Sequence, residues 1–233
     1  MDDHASAKVL SSPKLRVVQC WDDGNLDDLQ LCDILRRHGA KASFNLMASN
    51  HQAERIPAWK FQGWYQVYRL TWQELRSVYE GFTIANHSLT HPHATQISLD
   101  NWRYEVEENR KRLQDHFGQP IDGFAYPYGE HDAATMEVVR EAGHVYARTC
   151  ENATPCFPVS DVMAQPTDCH FLAADFWDRY ERAKTTGNVF YFWGHSYEIT
   201  NKKMWADFEA QIARITADPD VQWADLPSLF TRS

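Results

Sequence analysis

The sequence predicts an α/β fold: a single domain in which parallel strands alternate with helices, in a sheet that is open or closed into a (β/α) barrel. Three observations carry this. Apolar runs of strand length recur between amphipathic helical stretches. Those runs are nearly continuous rather than alternating, as in strands covered on both faces. No repeat, low-complexity tract or Gly/Ser linker divides the 233 residues, a length that suits one generous domain.

Taken in order, Leu15 to Trp21 is apolar and rich in β-formers, and reads as the first strand. After a turn at Asp22 to Asn25 a helix is signalled by Leu31, Ile34 and Leu35 on one face. Asp27 and Asp28 lie in its first turn, Arg36 and Arg37 in its last, and Gly39 is its stop. Ala42 to Met47 is the second strand, Thr71 caps a helix reaching Tyr79, and Phe82 to Ala85 is a strand running into a His-rich turn. Ser98 caps a long helix whose Trp102, Val106, Leu113 and Phe117 share a face. Strands follow at Ile121 to Ala125, Val145 to Thr149 and Val189 to Trp193, separated by helices near Ala133 to Ala142 and Asp175 to Lys184. A last amphipathic helix carries Trp205, Phe208, Ile212 and Ile215. Residues 1–14 read as a flexible N-terminal segment and 15–233 as the domain. The stretch from His51 to Arg69, with Trp59, Phe61, Trp64, Tyr65 and Tyr68, lies between elements and has the composition of a substrate-contacting loop or a small apolar core.

Composition excludes several classes. With 43% hydrophobic and 24% charged residues the chain is neither disordered nor collagen-like nor a disulfide miniprotein. Its 23 Lys+Arg against 32 Asp+Glu give a net charge of -9, so nucleic acid and anionic lipid are not expected partners. No apolar run approaches the roughly 18 residues of a membrane span. The first 14 residues lack the charged-then-apolar layout of a secretory signal. Cys20, Cys32, Cys150, Cys156 and Cys169 form no C-x-x-C and read as reduced thiols, which gives a cytoplasmic expectation, or an exported one if a leader has been removed. In the exported case Cys150 and Cys156 would close a small loop. The oligomeric state is not written in the sequence.

Function in such folds belongs at the carboxyl ends of the strands. Four polar clusters each follow a strand: Asp22-Asp23-Gly24, Asn86-His87-Ser88-Leu89-Thr90-His91, Tyr126-Pro127-Tyr128-Gly129 and Gly194-His195-Ser196. Two imidazoles four residues apart, one carboxylate from another strand and an open fourth position suit a catalytic first-row metal; His87, His91 and one of the two aspartates fit. Neighbours at a strand end point in different directions, so one aspartate binds the cation while the other takes a proton from water as general base. The residues alone do not say which. His195 can donate to a leaving group, and a backbone N–H of the Pro-Tyr-Gly turn can hold a developing oxyanion. These parts describe hydrolysis of an amide or ester. Trp21, Trp193 and Tyr126, next to the polar clusters, are candidate cleft walls, whereas Trp102 and Trp205 fall at core spacing.

Trp-Asp-Asp-Gly at 21–24, His-Ser-Leu-Thr-His at 87–91, Tyr-Pro-Tyr-Gly at 126–129 and Gly-His at 194–195, in that order, resemble the motifs of the polysaccharide deacetylase family, carbohydrate esterase family 4. The resemblance runs from about Val17 to Trp223. It implies a distorted (β/α) barrel of seven or eight parallel strands that removes N- or O-acetyl groups from a carbohydrate or small acylated substrate. It also implies a divalent metal, zinc first, with cobalt or nickel as alternatives. Carried over residue by residue, Asp22 is the general base, Asp23, His87 and His91 are the metal ligands, the Tyr128 amide is the oxyanion donor and His195 the general acid. One position departs from the pattern: Ala125 stands where the family often has an arginine that pairs with the base. Arg148, near the end of a neighbouring strand, is expected to supply that cation. Asp168, with Asp175 as second choice, is expected to orient His195, and His170 to line the cleft. Two rival readings are a hydrolase of a small cyclic amide or ureide, and a carbohydrate-binding protein with weakened catalysis.

Overall fold

A computed structural model of the chain describes residues 14–186 and 188–230. The expected flexible segment 1–14 lies outside the described residues apart from Lys14. The first strand, β1 (Leu15–Asp22), leads into helix α1 (Asp28–Arg37) and strand β2 (Ser43–Leu46). A hairpin of β3 (Pro57–Phe61) and β4 (Tyr65–Tyr68) interrupts the alternation before α2 (Leu75–Val78) and β5 (Thr83–Asn86). Then come α3 (Leu99–Phe117), β6 (Gly123–Ala125), α4 (Ala133–Glu141) and β7 (Tyr146–Asn152). Two very short strands, β8 (Gln165–Thr167) and β9 (Cys169–His170), precede α5 (Phe176–Thr186), β10 (Val189–Gly194), α6 (Lys202–Ala217) and β11 (Val221–Trp223).

Eight strands pair in parallel in the order β8-β7-β6-β5-β2-β1-β10-β9, and β11 pairs with the start of β1. The two ends of this order, β8 and β9, are separated in the chain by Asp168 alone, so the sheet curls into a nearly closed barrel whose seam is one residue wide. That residue bonds across the seam to β10. Its N–H donates to the Tyr191 carbonyl at 2.7 Å, and its Oδ2 accepts from the Tyr191 N–H at 2.8 Å. A side-chain carboxylate thus supplies the rung that a strand would have supplied.

The barrel expected from the sequence is present. Its interior holds Val18, Cys20, Tyr146 and Tyr191, while a larger cluster that includes Trp21, Phe44, Phe190 and Phe192 packs the outer face of the sheet against the helices. Helix α6 shows the logic. It buries Phe208, Ile212 and Ile215, spaced four and three apart, each burial worth about 1.5–3 kcal/mol. Helix α3 starts where Ser98 accepts from the Asn101 N–H and stops at Gly118, whose φ of 69° turns the chain out of the helix.

Several elements differ from what the sequence predicts. The helix expected from Thr71 is one turn long, because Thr71 and Glu74 exchange hydrogen bonds in a capping turn and Leu75–Val78 completes it. The aromatic segment after His51 is a hairpin rather than a loop. Strands β8, β9 and β11 have no counterpart in the expected set. All five cysteines are free, so the Cys150–Cys156 loop is not formed. Among the described residues no helix is long and apolar enough to cross a membrane.

Candidate active site

The carboxyl ends of β1, β5, β6 and β10 open on one cavity of about 460 Å³, lined by Asp22, Asp23, His87, His91, Tyr126, Tyr128, Trp193 and His195, together with Trp59, Arg69, Cys150 and Tyr197. Non-glycine residues with positive φ gather here: Asp23 (86°), Ser88 (61°), His91 (65°) and Tyr128 (58°), with only Gln62 elsewhere among the described residues. Strained backbone is thus concentrated at the cavity.

At the end of β1, successive residues face different ways. Asp22 is buried and clamped at both oxygens: Oδ1 accepts from the Asn45 amide at 2.6 Å, and Oδ2 pairs with the Arg148 guanidinium. Burial opposes its ionisation, but Arg148, His87 and His195 outweigh burial and hold the carboxyl well below its usual range. Arg148 is itself fully buried and its guanidinium lies 4.7 Å from the Trp193 ring centre. It reaches Asp22 from β7, where it sits opposite Ala125 in the β6–β7 register.

Asp23 turns away in the left-handed region, followed by Gly24 at φ 67°, where a Cβ would lie 2.5 Å from the His51 ring. Arg69, at the end of the hairpin, holds Asp23 from behind. Its Nη1 donates to the Asp23 main-chain oxygen and to Asn25 Oδ1, and lies 3.5 Å from Asp23 Oδ2. That leaves Asp23 Oδ1 buried with no hydrogen-bond partner, 3.8 Å from His87 Nε2. The His87 Nδ1 faces the Ala125 carbonyl at 2.8 Å, a contact that places its proton there and frees the Nε2 lone pair toward the cavity. His91 sits at the far end of a loop pinned by Glu105, which accepts from the Leu89 and Thr90 N–H groups. Burial keeps both imidazoles neutral: the His87 pKa is lowered, and His91 is pushed down to about 4 by burial and by His87. The ligand atoms of Asp23, His87 and His91 lie within 4.8 Å of one another. An ionised carboxylate with an orphaned oxygen beside two neutral imidazoles fits a divalent cation.

His195 follows Gly194, where a Cβ would lie 2.2 Å from Phe171. Its Nε2 is 3.9 Å from Asp22 Oδ2, and its Nδ1 is 3.3 Å from Glu198 Oε2, which also accepts the His195 N–H at 2.9 Å and contacts His170 Nε2 at 2.8 Å. Burial works against a proton on His195, but Glu198, Asp23 and Asp22 outweigh it and the pKa is raised. Replacing Glu198 by glutamine should therefore lower that pKa and move the alkaline limb of the pH–rate profile to lower pH. An unmoved limb would show that Glu198 does not support His195.

The structure places four of the expected site residues elsewhere. Trp21 is fully buried on the outer face, packed on Phe171 and Phe208, because its side chain alternates with that of Asp22. Asp168 is occupied at the seam by Tyr191, and the carboxylate beside His195 is Glu198. Asp175 is ion-paired with Arg179 on α5. His170 lies behind Glu198 and is not a lining residue. Sequence reading missed Arg69, Asn45, Tyr197 and Glu198. The acid three residues after His195 was a findable signal for Glu198, whereas nothing local marks Arg69.

A parallel barrel that gathers carboxylates and imidazoles at its strand ends has the layout of an enzyme active site. The family model described as polysaccharide deacetylase matches residues 11–147, more than half the chain, and the chain belongs to that family. It is a hydrolase of the class acting on carbon–nitrogen bonds other than peptide bonds. No curated protein matches it. Among solved structures, the Xyl-CE4 domain of a multidomain xylanase from the hindgut metagenome of Trinervitermes trinervoides is 18% identical, with 94% of this chain and 90% of that one covered at a TM-score of 0.61. The Bc1960 peptidoglycan N-acetylglucosamine deacetylase is 16% identical, with the same coverages and a TM-score of 0.60. A family 4 carbohydrate esterase from Streptomyces lividans, solved with acetate, is 18% identical over 88% of each chain at a TM-score of 0.56. At these identities the likeness is one of fold.

Proposed function

We propose that the protein removes the acetyl group from the nitrogen of an N-acetylated sugar or oligosaccharide, with zinc, or failing that cobalt or nickel, at Asp23, His87 and His91. The observation that carries this reading is the pairing of that ligand group with a second, clamped aspartate one residue away and an imidazole 3.9 Å beyond it. When bound, the cation supplies Lewis-acid polarisation of the amide carbonyl and acidifies the attacking water. Asp22 accepts the proton from that water, kept ionised by Arg148 and oriented by Asn45. The Tyr128 N–H donates to the carbonyl oxygen as negative charge builds on it. His195 gives its proton to the nitrogen as the carbon–nitrogen bond breaks, so the products are acetate and a free amine. Trp193, Tyr126 and Trp59 offer apolar walls to the sugar.

A second reading keeps the chemistry and changes the substrate to a small cyclic amide or ureide. It is favoured by the hairpin, whose Trp59 and Phe61 each pack 5.1 Å from the Tyr197 ring, so that Trp59 and Tyr197 wall one side of the cavity. The carbohydrate-binding reading, motivated by Ala125, is less well supported, since the Arg148 guanidinium pairs with Asp22 from the neighbouring strand. Metal analysis beside acetate release from N-acetylglucosamine oligomers and a generic acetyl ester, with and without chelator, tests these readings. Chelator-sensitive acetate release is expected. Bound metal without acetate would shift the substrate to the cyclic amide, and protein that takes up no metal would sink the site.

A further inference from the structure

Behind the catalytic acid, His170, Glu198 and His195 gather a second set of donors. One atom from each lies within 4.8 Å of the other two. Glu198 Oε2 is the hub, 2.8 Å from His170 Nε2 and 3.3 Å from His195 Nδ1. In a tetrahedral zinc site with bonds of about 2.0–2.1 Å, neighbouring ligand atoms stand roughly 3.3 Å apart. Of the three edges, one already has that length, a second needs to open by about 0.5 Å on the same geometry, and the third, between the two imidazoles, lies within 4.8 Å. Both rings are braced by the same indole: Trp193 lies 5.0 Å from His170 and 5.5 Å from His195, close to edge-on to each. The side chains keep 25%, 19% and 17% of their surface for His170, His195 and Glu198, so an ion can reach them from solvent.

We propose that these three residues form a second, weaker metal site, selective for zinc, copper, nickel or cobalt, whose occupation inhibits the enzyme. Two imidazole nitrogens and one carboxylate oxygen suit such borderline ions and not magnesium or calcium, which prefer oxygen alone. Binding forms two metal–nitrogen bonds and one metal–oxygen bond, and the protons held between the rings and Glu198 leave to solvent. The inhibition rests on the proposed role of His195. A cation on Nδ1 takes the position its second proton needs, so the imidazolium that protonates the amine no longer forms. The second site and the proposed base lie on opposite nitrogens of the His195 ring, Nδ1 facing Glu198 and Nε2 facing Asp22.

Equilibrium dialysis of the full chain against zinc tests the site without reference to catalysis. Wild type should bind two equivalents, one tight and one at least tenfold weaker. His170→Asn and Glu198→Gln should each bind only the tight one, and Asp23→Asn only the weak one. Zinc beyond the first equivalent should cut acetate release by wild type at least tenfold, and the zinc needed for half-inhibition should rise at least tenfold in His170→Asn. A single equivalent in wild type would overturn the proposal. So would a second equivalent that survives in both His170→Asn and Glu198→Gln, or one that is lost along with the first in Asp23→Asn. Two equivalents with no hydrolysis of any substrate would overturn the proposed function while leaving the second site in place.

Discussion

Asp22→Asn should keep the wild-type metal content and lose about 10²–10⁴ in turnover, the usual contribution of a positioned general base, whereas Asp23→Asn should lose both metal and turnover. The two residues are adjacent, yet the barrel gives them opposite surroundings. Asp22 has both oxygens engaged, by Asn45 and Arg148, and its environment suits an anion that stays put. Asp23 has one oxygen held near Arg69 and the other buried without a partner, facing His87. Asparagine at 22 keeps the hydrogen-bonding shape but cannot take the proton. At 23 it removes the charge that two neutral imidazoles need beside them to hold a dication. Metal analysis of the two purified variants beside acetate release decides the matter, and the reverse pattern would exchange the two roles.

Arg148→Met should reduce both stability and turnover while leaving the metal in place. The Arg148–Asp22 pair is closed off from solvent, and removing one partner of such a pair costs about 3–5 kcal/mol because the other charge stays behind uncompensated. In the wild type the depressed Asp22 pKa stabilises the fold above the unfolded carboxylate value of about 3.9, and that stabilisation is lost only in stronger acid. Without Arg148 the largest influence opposing burial is gone and the Asp22 pKa rises. The base is then protonated over part of the working range, and the acid limb of the pH–rate profile moves upward. Asp22→Asn combined with Arg148→Met should recover most of the lost stability and none of the activity, since no unpaired charge remains. Thermal unfolding and pH–rate profiles of the single and double variants measure this, and wild-type turnover in Arg148→Met would remove Arg148 from the mechanism.

Most of the barrel was legible because its long strands are continuous apolar runs, and the polar clusters that follow β1, β5, β6 and β10 sit where a parallel sheet presents its strand ends. What escaped was set by contacts between distant segments. Strands β8 and β9 are three and two residues long and carry no periodicity of their own; the barrel around them makes them strands. The hairpin reads as an aromatic loop until Pro57 and Tyr68 are brought opposite each other. Trp21 and Trp193 look alike in sequence, each beside a catalytic candidate. Side-chain alternation sends the first into the core, while the second lies on the cavity wall. The expectation of Asp168 beside His195 failed for a similar reason, since a carboxylate next to β9 is taken up by the seam before it can reach the acid.

The one-residue seam also acts as a gauge. Gln165 is in register with Arg148 on one side of it, and His170 with Trp193 on the other. The short stretch from Gln165 to His170 therefore spans the gap between the strand carrying the partner of Asp22 and the strand leading to His195. A slip of either strand by one position, about 3.3 Å, would have to be absorbed within those few residues. The relative height of base partner and acid is thus set twice, by the ladder of paired strands from β7 round to β10 and, across the seam, by the contour length of one short peptide segment. The segment from 165 to 170 consequently leaves no room for an inserted or deleted residue, even though it holds only one of the residues near the reacting centre, and that one from behind.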